Sequence, residues 1–159
     1  MAETRVGIGY DVHRLVPGRR LVLAGVEIES ELGLDGHSDA DVALHAVCDA
    51  LLGAAALGDI GHHFPPGDAR WKDADSLDLL QRVRELLADY AIGNVDITIV
   101  AERPRLAPHV DLMRTRIGDA LGLAVSSVSV KATTNERIGF VGRGEGIAAL
   151  AVATIVRTP

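Results

Sequence analysis

Three residues in the first third of the chain have side chains suited to binding a metal ion. Asp11 and His13 stand two positions apart in GYDVHRL, after an alternating segment from Val6 to Tyr10 that predicts a β-strand. Side chains two apart on a strand leave the same face, so both could contact one ion. His45 is the candidate third ligand, because it interrupts an otherwise apolar predicted helix. Two imidazoles and one carboxylate leave a fourth position open, which is typical of a catalytic zinc site.

The surroundings of His45 allow two interpretations. Asp41 and Asp49 lie four residues before and after it, on its own face of the predicted helix. Carboxylates beside an imidazole can orient a metal ligand and set its tautomer. The same residues could instead form a polar stripe that faces solvent or another subunit, and the helix alone does not decide between them.

A second polar group lies at 131–136, where a predicted strand gives way to a glycine-rich loop. Lys131, Thr133, Thr134 and Glu136 offer a cation, two hydroxyls and a carboxylate. Hydroxyls and backbone N–H groups bind phosphate oxygens, and a carboxylate among phosphates suits Mg²⁺. Arg143 in GRGEG could bind a phosphate, although these glycines match no P-loop or Rossmann pattern. The alternative is an ordinary strand end followed by turn residues.

The remaining histidines and the cysteine are interpreted from their neighbours. His37 precedes the predicted His45 helix, and a helix N-terminus attracts anions, so a phosphate contact is expected there. His62 and His63 are expected to form hydrogen bonds or to be solvated, and His109 to be structural. Cys48 is expected to be buried, as helical cysteines usually are.

Hydrophobic periodicity and turn signals predict the elements that position these residues, in the order ββααβαββ. The strands are predicted at 6–10, 21–26, 95–101, 128–133 and 147–156, and the helices at 38–57, from 75 or 76 to 87, and from 108 to 122. The first two strands are expected to pair as a hairpin. The predicted fold class is α+β, a mixed β-sheet with helices packed on one face. Two long loops, 58–75 and 135–146, have the glycine and charge content of ligand-binding loops.

Composition limits the function classes. The 159 residues, 48% hydrophobic and 24% charged, are typical of one globular domain spanning 1–159. A formal charge of −6 and 3% aromatic residues argue against nucleic-acid binding. We expect no membrane association, because no run of 18 apolar residues and no signal-like segment occurs. A single cysteine favours the cytoplasm. A mean hydropathy of +0.21 is high for a small monomer and favours contacts between subunits.

Four segments resemble the 2-C-methyl-D-erythritol 2,4-cyclodiphosphate synthase family: GYDVHRL, HSDADVALHAVCDALLGAAALGDIGHHFP, KATTNERIGF and GRGEGIAA. Together they span nearly the whole chain in consistent order and spacing. The resemblance implies a phosphorus–oxygen lyase of the non-mevalonate isoprenoid pathway, in which 4-diphosphocytidyl-2-C-methyl-D-erythritol 2-phosphate cyclises and releases CMP. It also implies a homotrimer of small sandwich-like subunits with active sites between neighbours, and an isoprenoid phosphate in an apolar central cavity.

The resemblance also implies roles for individual residues. Asp11, His13 and His45 would bind zinc, Glu136 would bind a second ion, Mg²⁺ or Mn²⁺, and His37 and Thr134 would steady the transition state. The implied substrate contacts are Asp11, His13, His37, Ser38, Asp59, Ile60, Gly61, Phe64, Asp68, Ala101, Arg103, Pro104, Arg105, Leu106, Ala107, Thr133, Thr134, Glu136, Phe140 and Arg143. Phe140 would lie near the central cavity. Pro66 and Asn135 depart from the family pattern, and we expect them to change substrate affinity rather than abolish the reaction.

Two other functions compete with this one. A metal-dependent phosphohydrolase could use the same three ligands with a zinc-bound hydroxide as nucleophile, although no neighbouring residue stands out as its base. A non-catalytic trimer could bind isoprenoid phosphates and keep the metal as a structural clamp. Intact Thr134 and Glu136 disfavour the second alternative.

Overall fold

The computed structural model describes residues 3–158. Its strands are β1 (Thr4–Pro17), β2 (Leu21–Leu23), β3 (Val26–Ile28), β4 (Leu32–Leu34), β5 (Tyr90–Val100), β6 (Val128–Thr133) and β7 (Gly146–Arg157). Its helices are α1 (Val42–Ala54), α2 (Ile60–His63), α3 (Ser76–Leu86), α4 (Val110–Leu121) and α5 (Gly139–Gly142). Single 3₁₀ turns lie at Ala69–Trp71, Ala107–His109 and Val125–Ser127. The predicted α+β class is confirmed.

Five strands form one mixed sheet in the order β4-β1-β7-β5-β6. The β5–β6 pair is parallel, and the other pairs are antiparallel. β1 and β7 pair along almost their full lengths, from Thr4 opposite Val156 to Arg14 opposite Gly146. This long central ladder fixes the end of β1, and therefore the candidate ligands on it, relative to the rest of the sheet.

The predicted hairpin between the first two strands is wrong. The segment predicted at 21–26 is divided by a turn at Ala24 and Gly25, where φ is +50° and +75°, and its halves pair with each other as β2 and β3. β1 pairs instead with β4 and β7. The alternation of apolar residues identifies strands but carries no information on which distant strand is the partner.

Helix α1 begins four residues later than predicted. Asp41 is its N-cap, with the carboxylate accepting from the backbone N–H of Leu44 at 3.1 Å, and the helix ends at Ala54 rather than at Leu57. Asp41 also accepts from the N–H groups of Ala24 and Gly25, at 2.9 and 2.7 Å. The segment with Ser38 therefore precedes the helix as an irregular loop tied to the β2–β3 turn.

Two glycines on β1 let α1 approach the sheet closely. A Cβ atom at Gly9 would overlap the carbonyl oxygen of Ala46, and one at Gly7 would overlap that of Ala50. At this contact, glycines on the strand face alanines on the helix, so the two backbones can approach closely. The next residue on the same face of β1 is Asp11, which lies against His45 of α1.

Helices cover one face of the sheet and leave the other uncovered. Gly7 and Gly9 face α1, whereas the side chains between them and beyond are exposed: Val6 is 64% exposed, Ile8 70% and Tyr10 53%. Leu150 and Val152 of β7 stand opposite Tyr10 and Ile8 and are also exposed. The strand predicted from the alternation in β1 is confirmed, but its apolar side faces away from the helices. In the described part of the chain, no helix is long and apolar enough to cross a membrane.

Candidate functional site

The three candidate ligands from β1 and α1 meet at one point. The Nε2 atom of His13 lies 2.9 Å from the Oδ2 atom of Asp11, and the Nδ1 atom of His45 lies 3.0 Å from the same oxygen. The two imidazole nitrogens are 3.3 Å apart. Two ligands of a tetrahedral zinc at its usual bond lengths are about 3.3 Å apart, so this triangle fits one divalent ion. A tetrahedral ion held by these three atoms would have one coordination position left for a further ligand.

The orientation of His13 is set by a backbone carbonyl. Its Nδ1 atom lies 2.8 Å from the carbonyl oxygen of Asp35, which can only accept, so Nδ1 carries the proton. The lone pair of Nε2 then faces Asp11 and His45. A Cβ on Gly36 would lie 3.1 Å from the His13 ring, so the loop before α1 packs directly against the ligand.

The site favours positive charge. Burial opposes ionisation of Asp11, but the contacts with the His13 and His45 imidazoles outweigh it and lower the pKa of Asp11 to about 2. Burial likewise disfavours the charged form of His13, yet the Asp11 carboxylate and the Asp35 carbonyl raise the pKa of His13. An anionic oxygen and two nitrogens aimed at one point require a proton or a metal ion between them. The donor set, one carboxylate and two imidazoles, is the type that holds zinc with an open position.

Asp41 and Asp49 do not orient His45, contrary to one interpretation of the helix. The Asp41 carboxylate caps α1 and binds the β2–β3 turn. Asp49 accepts from the backbone N–H of Ile60 at 2.8 Å and thereby ties α2 to α1. The Nε2 atom of His45 instead contacts the hydroxyls of Ser38 and Ser76, at 3.1 and 3.0 Å. Ser76 comes from the start of α3, 31 residues away in the chain.

A separate open cleft of about 1300 Å³ gathers most of the second predicted group. It lies between the loop that follows β5 and the loops on either side of α5. Its lining includes the predicted site residues Arg103, Pro104, Arg105, Thr134, Glu136 and Arg143, and also Leu15, Ser30, Glu31, Leu32, Glu102, Arg137, Gly142 and Gly144. Asp11, His13 and His45 are not among the lining residues. Within one protomer, the metal triad and this cleft therefore have no lining residue in common.

The loop that carries Glu136 is held by a residue that the sequence analysis passed over. The carboxylate of Glu102 accepts from the backbone N–H groups of Asn135 and Arg137, at 2.9 and 3.0 Å. The Thr134 hydroxyl accepts from the N–H of Glu136 at 3.2 Å. Glu136 and Arg137 have φ of +52° and +60°, a left-handed conformation that non-glycine residues adopt only when such contacts support it.

Other predicted residues around the cleft are exposed. Thr133 donates its hydroxyl to the carbonyl of Thr134, Arg143 pairs with Glu145 at 3.2 Å, and Phe140 on α5 is 41% exposed. The stretch from Ala101 to Ala107 begins at a hydrogen bond from the Ala101 N–H to the Thr133 carbonyl and ends in a 3₁₀ turn. In this stretch Ala101 and Leu106 are buried, so its polar contacts would come from the exposed residues between them.

The predicted loop 58–75 is partly ordered around α2. The carboxylate of Asp59 caps α2 by accepting from the His62 N–H, and Ile60 and Phe64 are half-buried. Phe64 packs edge-on against Trp71, with ring centroids 5.0 Å apart. Asp68 pairs with Arg70, whose hydrogen bonds lower the pKa of Asp68. Gly61 in the same loop is exposed.

His62, His63 and Cys48 lie in the surroundings that the sequence predicts. His62 is exposed, and His63 donates to the carbonyl of Leu57 at 2.8 Å. His37 is half-buried in the loop before α1, but that helix begins five residues later with its first turn capped by Asp41. Cys48 is fully buried, and burial raises the pKa of its thiol.

Comparison with known proteins decides the family. The model of the YgbB family matches residues 4–156. The chain belongs to the YgbB family. A relative from Symbiobacterium thermophilum, named 2-C-methyl-D-erythritol 2,4-cyclodiphosphate synthase, is 68% identical over 152 residues, which cover 94% of this chain and 97% of the relative. The resemblance found in the sequence is therefore confirmed over the whole length of the family domain.

Solved YgbB-like structures share the fold. The bifunctional IspDF from Campylobacter jejuni matches with a TM-score of 0.95 and 39% identity, covering 99% of this chain. This chain spans 43% of that bifunctional protein. IspF of Plasmodium falciparum, solved as a CDP complex, matches with a TM-score of 0.86 and 31% identity, covering 98% of this chain and 97% of that one.

Proposed function

We propose that this chain converts 4-diphosphocytidyl-2-C-methyl-D-erythritol 2-phosphate to 2-C-methyl-D-erythritol 2,4-cyclodiphosphate, with release of CMP, as a phosphorus–oxygen lyase of non-mevalonate isoprenoid biosynthesis. The observation that carries the proposal is the 68% identity to a synthase of that name over nearly both full lengths. A metal triad alone would fit several classes of enzyme. The triad and the cleft in one chain supply the metal site and the phosphate-binding groups that this substrate requires.

The reaction balances without a covalent enzyme intermediate. An oxygen of the substrate's 2-phosphate attacks the β-phosphorus, and a new P–O–P bond forms. The bond between the β-phosphorus and the bridging oxygen breaks, and CMP leaves with that oxygen. A phosphate oxygen is already anionic at neutral pH, so no general base is needed. The protein's task is to fold the substrate into a reactive geometry, which lowers such barriers by roughly 7–11 kcal/mol in favourable systems.

We assign the metal-holding roles to two places. Asp11, His13 and His45 would hold zinc, and Glu136 would hold a second divalent ion, Mg²⁺ or Mn²⁺, at the diphosphate. Bound there, such ions polarise phosphate oxygens and offset the charge that develops on the leaving group. The triangle of 2.9, 3.0 and 3.3 Å supports the first assignment. The hydrogen bonds that hold Glu136 in a left-handed conformation support the second assignment. They fix this residue in the wall of the cleft.

The other side chains bind and orient the substrate in this proposal. His37 and Thr134 steady the transition state, and Ser38, Thr133 and Arg143 contact phosphate oxygens. Ala101 to Ala107 bind cytidine through backbone groups, with Arg103, Pro104 and Arg105 on the wall of the cleft. Residues 59–61, Phe64 and Asp68 bind the methylerythritol part. The solved CDP complex of the Plasmodium falciparum relative supports a cytidine nucleotide as part of the ligand.

We further propose that the chain 1–159 is one domain that acts as a cytoplasmic homotrimer, with each active site shared by two subunits. Two observations support this. The triad and the cleft do not share lining residues within one protomer, so a neighbour's cleft could complete the triad. The uncovered sheet face exposes an apolar band of Val6, Ile8, Tyr10, Leu150 and Val152, of the kind that subunit contacts bury. The exposed Phe140 supports an apolar cavity that takes an isoprenoid phosphate.

The decisive experiment follows the reaction by phosphorus NMR while CMP release is measured, with Zn²⁺ and Mg²⁺ and with a chelated control. A cyclic diphosphate that appears with equimolar CMP, and only with metal, is the expected result. Linear phosphate products would instead identify a hydrolase. Tight binding of the substrate without CMP release would identify a non-catalytic binding protein.

A further inference from the structure

The imidazole of His45 has a second nitrogen, and a buried chain of polar groups meets it. The Nε2 atom lies 3.0 Å from the Ser76 hydroxyl and 3.1 Å from the Ser38 hydroxyl. Ser76 is fully buried, and its hydroxyl also contacts a carboxylate oxygen of Asp39. Three parts of the chain meet here: the loop before α1, α1 itself and the first residue of α3.

The chemistry of these groups fixes the direction of each hydrogen bond. A carboxylate only accepts, so the Ser76 hydroxyl donates its proton to Asp39. The Ser76 oxygen then has only lone pairs to offer His45, and the Nε2 atom must carry the proton. In the neutral ring the Nδ1 atom is then unprotonated, and it faces Asp11 and His13, where the metal triad needs a lone pair.

The Ser76 hydroxyl has no competing structural role in the helix that carries it. The N-cap of α3 is Asp75, whose carboxylate accepts from the Leu77 N–H at 2.8 Å. Asp39 is held in place by two backbone donors, the N–H groups of Ser76 and Asp41, both at 3.0 Å. The acceptor for the Ser76 proton is therefore positioned independently of the hydroxyl itself.

Ser38 is placed differently from Ser76. Its oxygen accepts from the Ala40 N–H at 3.2 Å, and the protonated Nε2 of His45 offers it no acceptor. Within residues 3–158, the Ser38 hydroxyl contacts no acceptor, so its proton is available to an oxygen of a bound ligand. Of the two serines, Ser76 is the one that connects the Nε2 atom of His45 to a carboxylate.

We propose that Ser76 and Asp39 are positioning residues for the metal site. Through the Ser76 hydroxyl, Asp39 holds His45 in the tautomer that presents Nδ1 to the ion and fixes the rotation of the ring. The proposal rests on the proposed function only for the identity of the ion, zinc. It is tested on metal binding, so it can fail or hold whether or not the chain makes a cyclic diphosphate.

The first test compares Ser76→Ala with Ser126→Ala, a matched change at an exposed serine far along the chain. Zinc affinity is measured for both by competition with a chelator. Loss of a group that orients a metal-bound histidine costs roughly 10- to 100-fold in affinity. We expect that loss for Ser76→Ala and wild-type affinity for Ser126→Ala. Equal affinities for the two variants would overturn the proposal.

A second pair of variants distinguishes the effect of the hydroxyl from the effect of side-chain volume at this buried position. Ser76→Thr and Ser76→Val have nearly the same size, and only threonine keeps the hydroxyl. We expect threonine to bind zinc at least ten times more tightly than valine. If the two variants bind zinc equally, the effect of Ser76 is one of volume and the proposal is wrong.

A direct measurement on the wild-type protein needs no substitution. In the nitrogen-15 NMR spectrum of the zinc-loaded protein, we expect His45 to show a protonated Nε2 and a metal-bound Nδ1. A protonated Nδ1 with metal on Nε2 would overturn the proposal even if every variant failed to fold. The expected tautomer together with absent cyclisation activity would leave the positioning role intact and refute the proposed function.

Discussion

At the scale of single residues, the candidate zinc ligands are set by groups that the sequence places far away. His13 is oriented by the Asp35 carbonyl, and His45 by the hydroxyl of Ser76. Asp11 lies between both imidazoles and needs no further partner to be held. Each ligand atom therefore has its lone pair directed inward before any ion binds, which reduces the cost of ordering the site on binding.

Glu136→Gln should impair the proposed second metal site and leave the zinc site intact. Glutamine keeps the length of the side chain but removes the charge that a second divalent ion needs. We expect zinc content to stay unchanged, because Glu136 is not part of the triad, and turnover to fall by at least tenfold. Zinc content by elemental analysis and CMP release measure the two effects. Turnover equal to wild type would remove Glu136 from the proposed machinery.

Asp41 should make stability depend on pH. Burial, with the charge of Asp39 adding to it, raises the pKa of Asp41 to about 6, although three backbone N–H groups favour its charged form. In an unfolded chain an aspartate titrates near pH ~3.9, so the folded protein binds the proton more tightly between these values. The contribution of Asp41 is thus largest below pH ~4 and is lost as pH rises to about 6, by about 3 kcal/mol.

Asp41→Asn provides the comparison for that effect. Urea denaturation at fixed protein concentration, from pH 4 to pH 7, gives the free energy of unfolding of both proteins. We expect the advantage of the wild type over the variant to shrink across this range. All other titrating groups are common to both, so parallel pH profiles would contradict the assigned pKa.

At the scale of elements, the contact between β1 and α1 positions the triad. Asp11 and His13 are on the strand and His45 is on the helix, and the spacing between the two elements is set by Gly7 and Gly9. The cleft depends on a comparable link, since Glu102 at the end of β5 holds the loop of Glu136. In both cases, a residue with no predicted chemical role positions the residue that is predicted to act in the reaction.

Gly9→Ala should weaken both the fold and the metal site. The new Cβ would overlap the Ala46 carbonyl oxygen, so α1 must move away from β1. Overpacking of this kind costs about 1–3 kcal/mol, and we expect weaker zinc binding because His45 moves with the helix. Denaturation and zinc competition measure the two losses.

Gly53→Ala is the matched control for that substitution. Gly53 is an exposed residue of α1, and a Cβ there would meet no atom within 4 Å. Alanine in an exposed helix interior stabilises by roughly 0.5–1 kcal/mol over glycine. We expect unchanged zinc affinity and slightly higher stability. If Gly9→Ala behaved like Gly53→Ala, the close approach of strand and helix would not matter for the site.

At the scale of the whole molecule, the proposed homotrimer would account for both the exposed apolar sheet face and the separation of the triad from the cleft. The exposed residues on β1 and β7 alternate with those that pack on α1, so one face of the sheet packs on the core and the other is available for a subunit contact. In a closed ring, each triad would meet the cleft of the next subunit. An isolated protomer would then have all the residues and no complete site.

Mixed trimers test this arrangement directly. His45→Ala and Glu136→Gln each damage one half-site, and co-expression with two different tags allows trimers that contain both variants to be purified. Every such trimer has one junction of three in which both halves are intact. We therefore expect about one third of the wild-type turnover, although each variant alone is nearly inactive. Mixed trimers as inactive as the parents would show that the triad and Glu136 act within one subunit.

The sequence by itself determined much of the local structure. The spacing of Asp11 and His13 and the isolated His45 were enough to nominate the triad, which the structure brings together. Helix α4 ends at Leu121 and is followed by Gly122, whose φ of +68° fits the predicted glycine stop, and β6 has the predicted bounds Val128–Thr133. These features depend on side-chain chemistry, local backbone preference and periodicity over a few residues, all of which are present in a short segment.

Only the tertiary structure decided which distant groups meet. No local pattern pairs β1 with β7 rather than with the segment at 21–26, because strand pairing depends on contacts across more than 130 residues. Asp41 and Asp49 share a helical face with His45, yet their carboxylates bind backbone groups elsewhere, while Ser76 reaches His45 from another helix. Periodicity predicts which residues share a face of one element. Their hydrogen-bond partners depend on how the elements pack against each other.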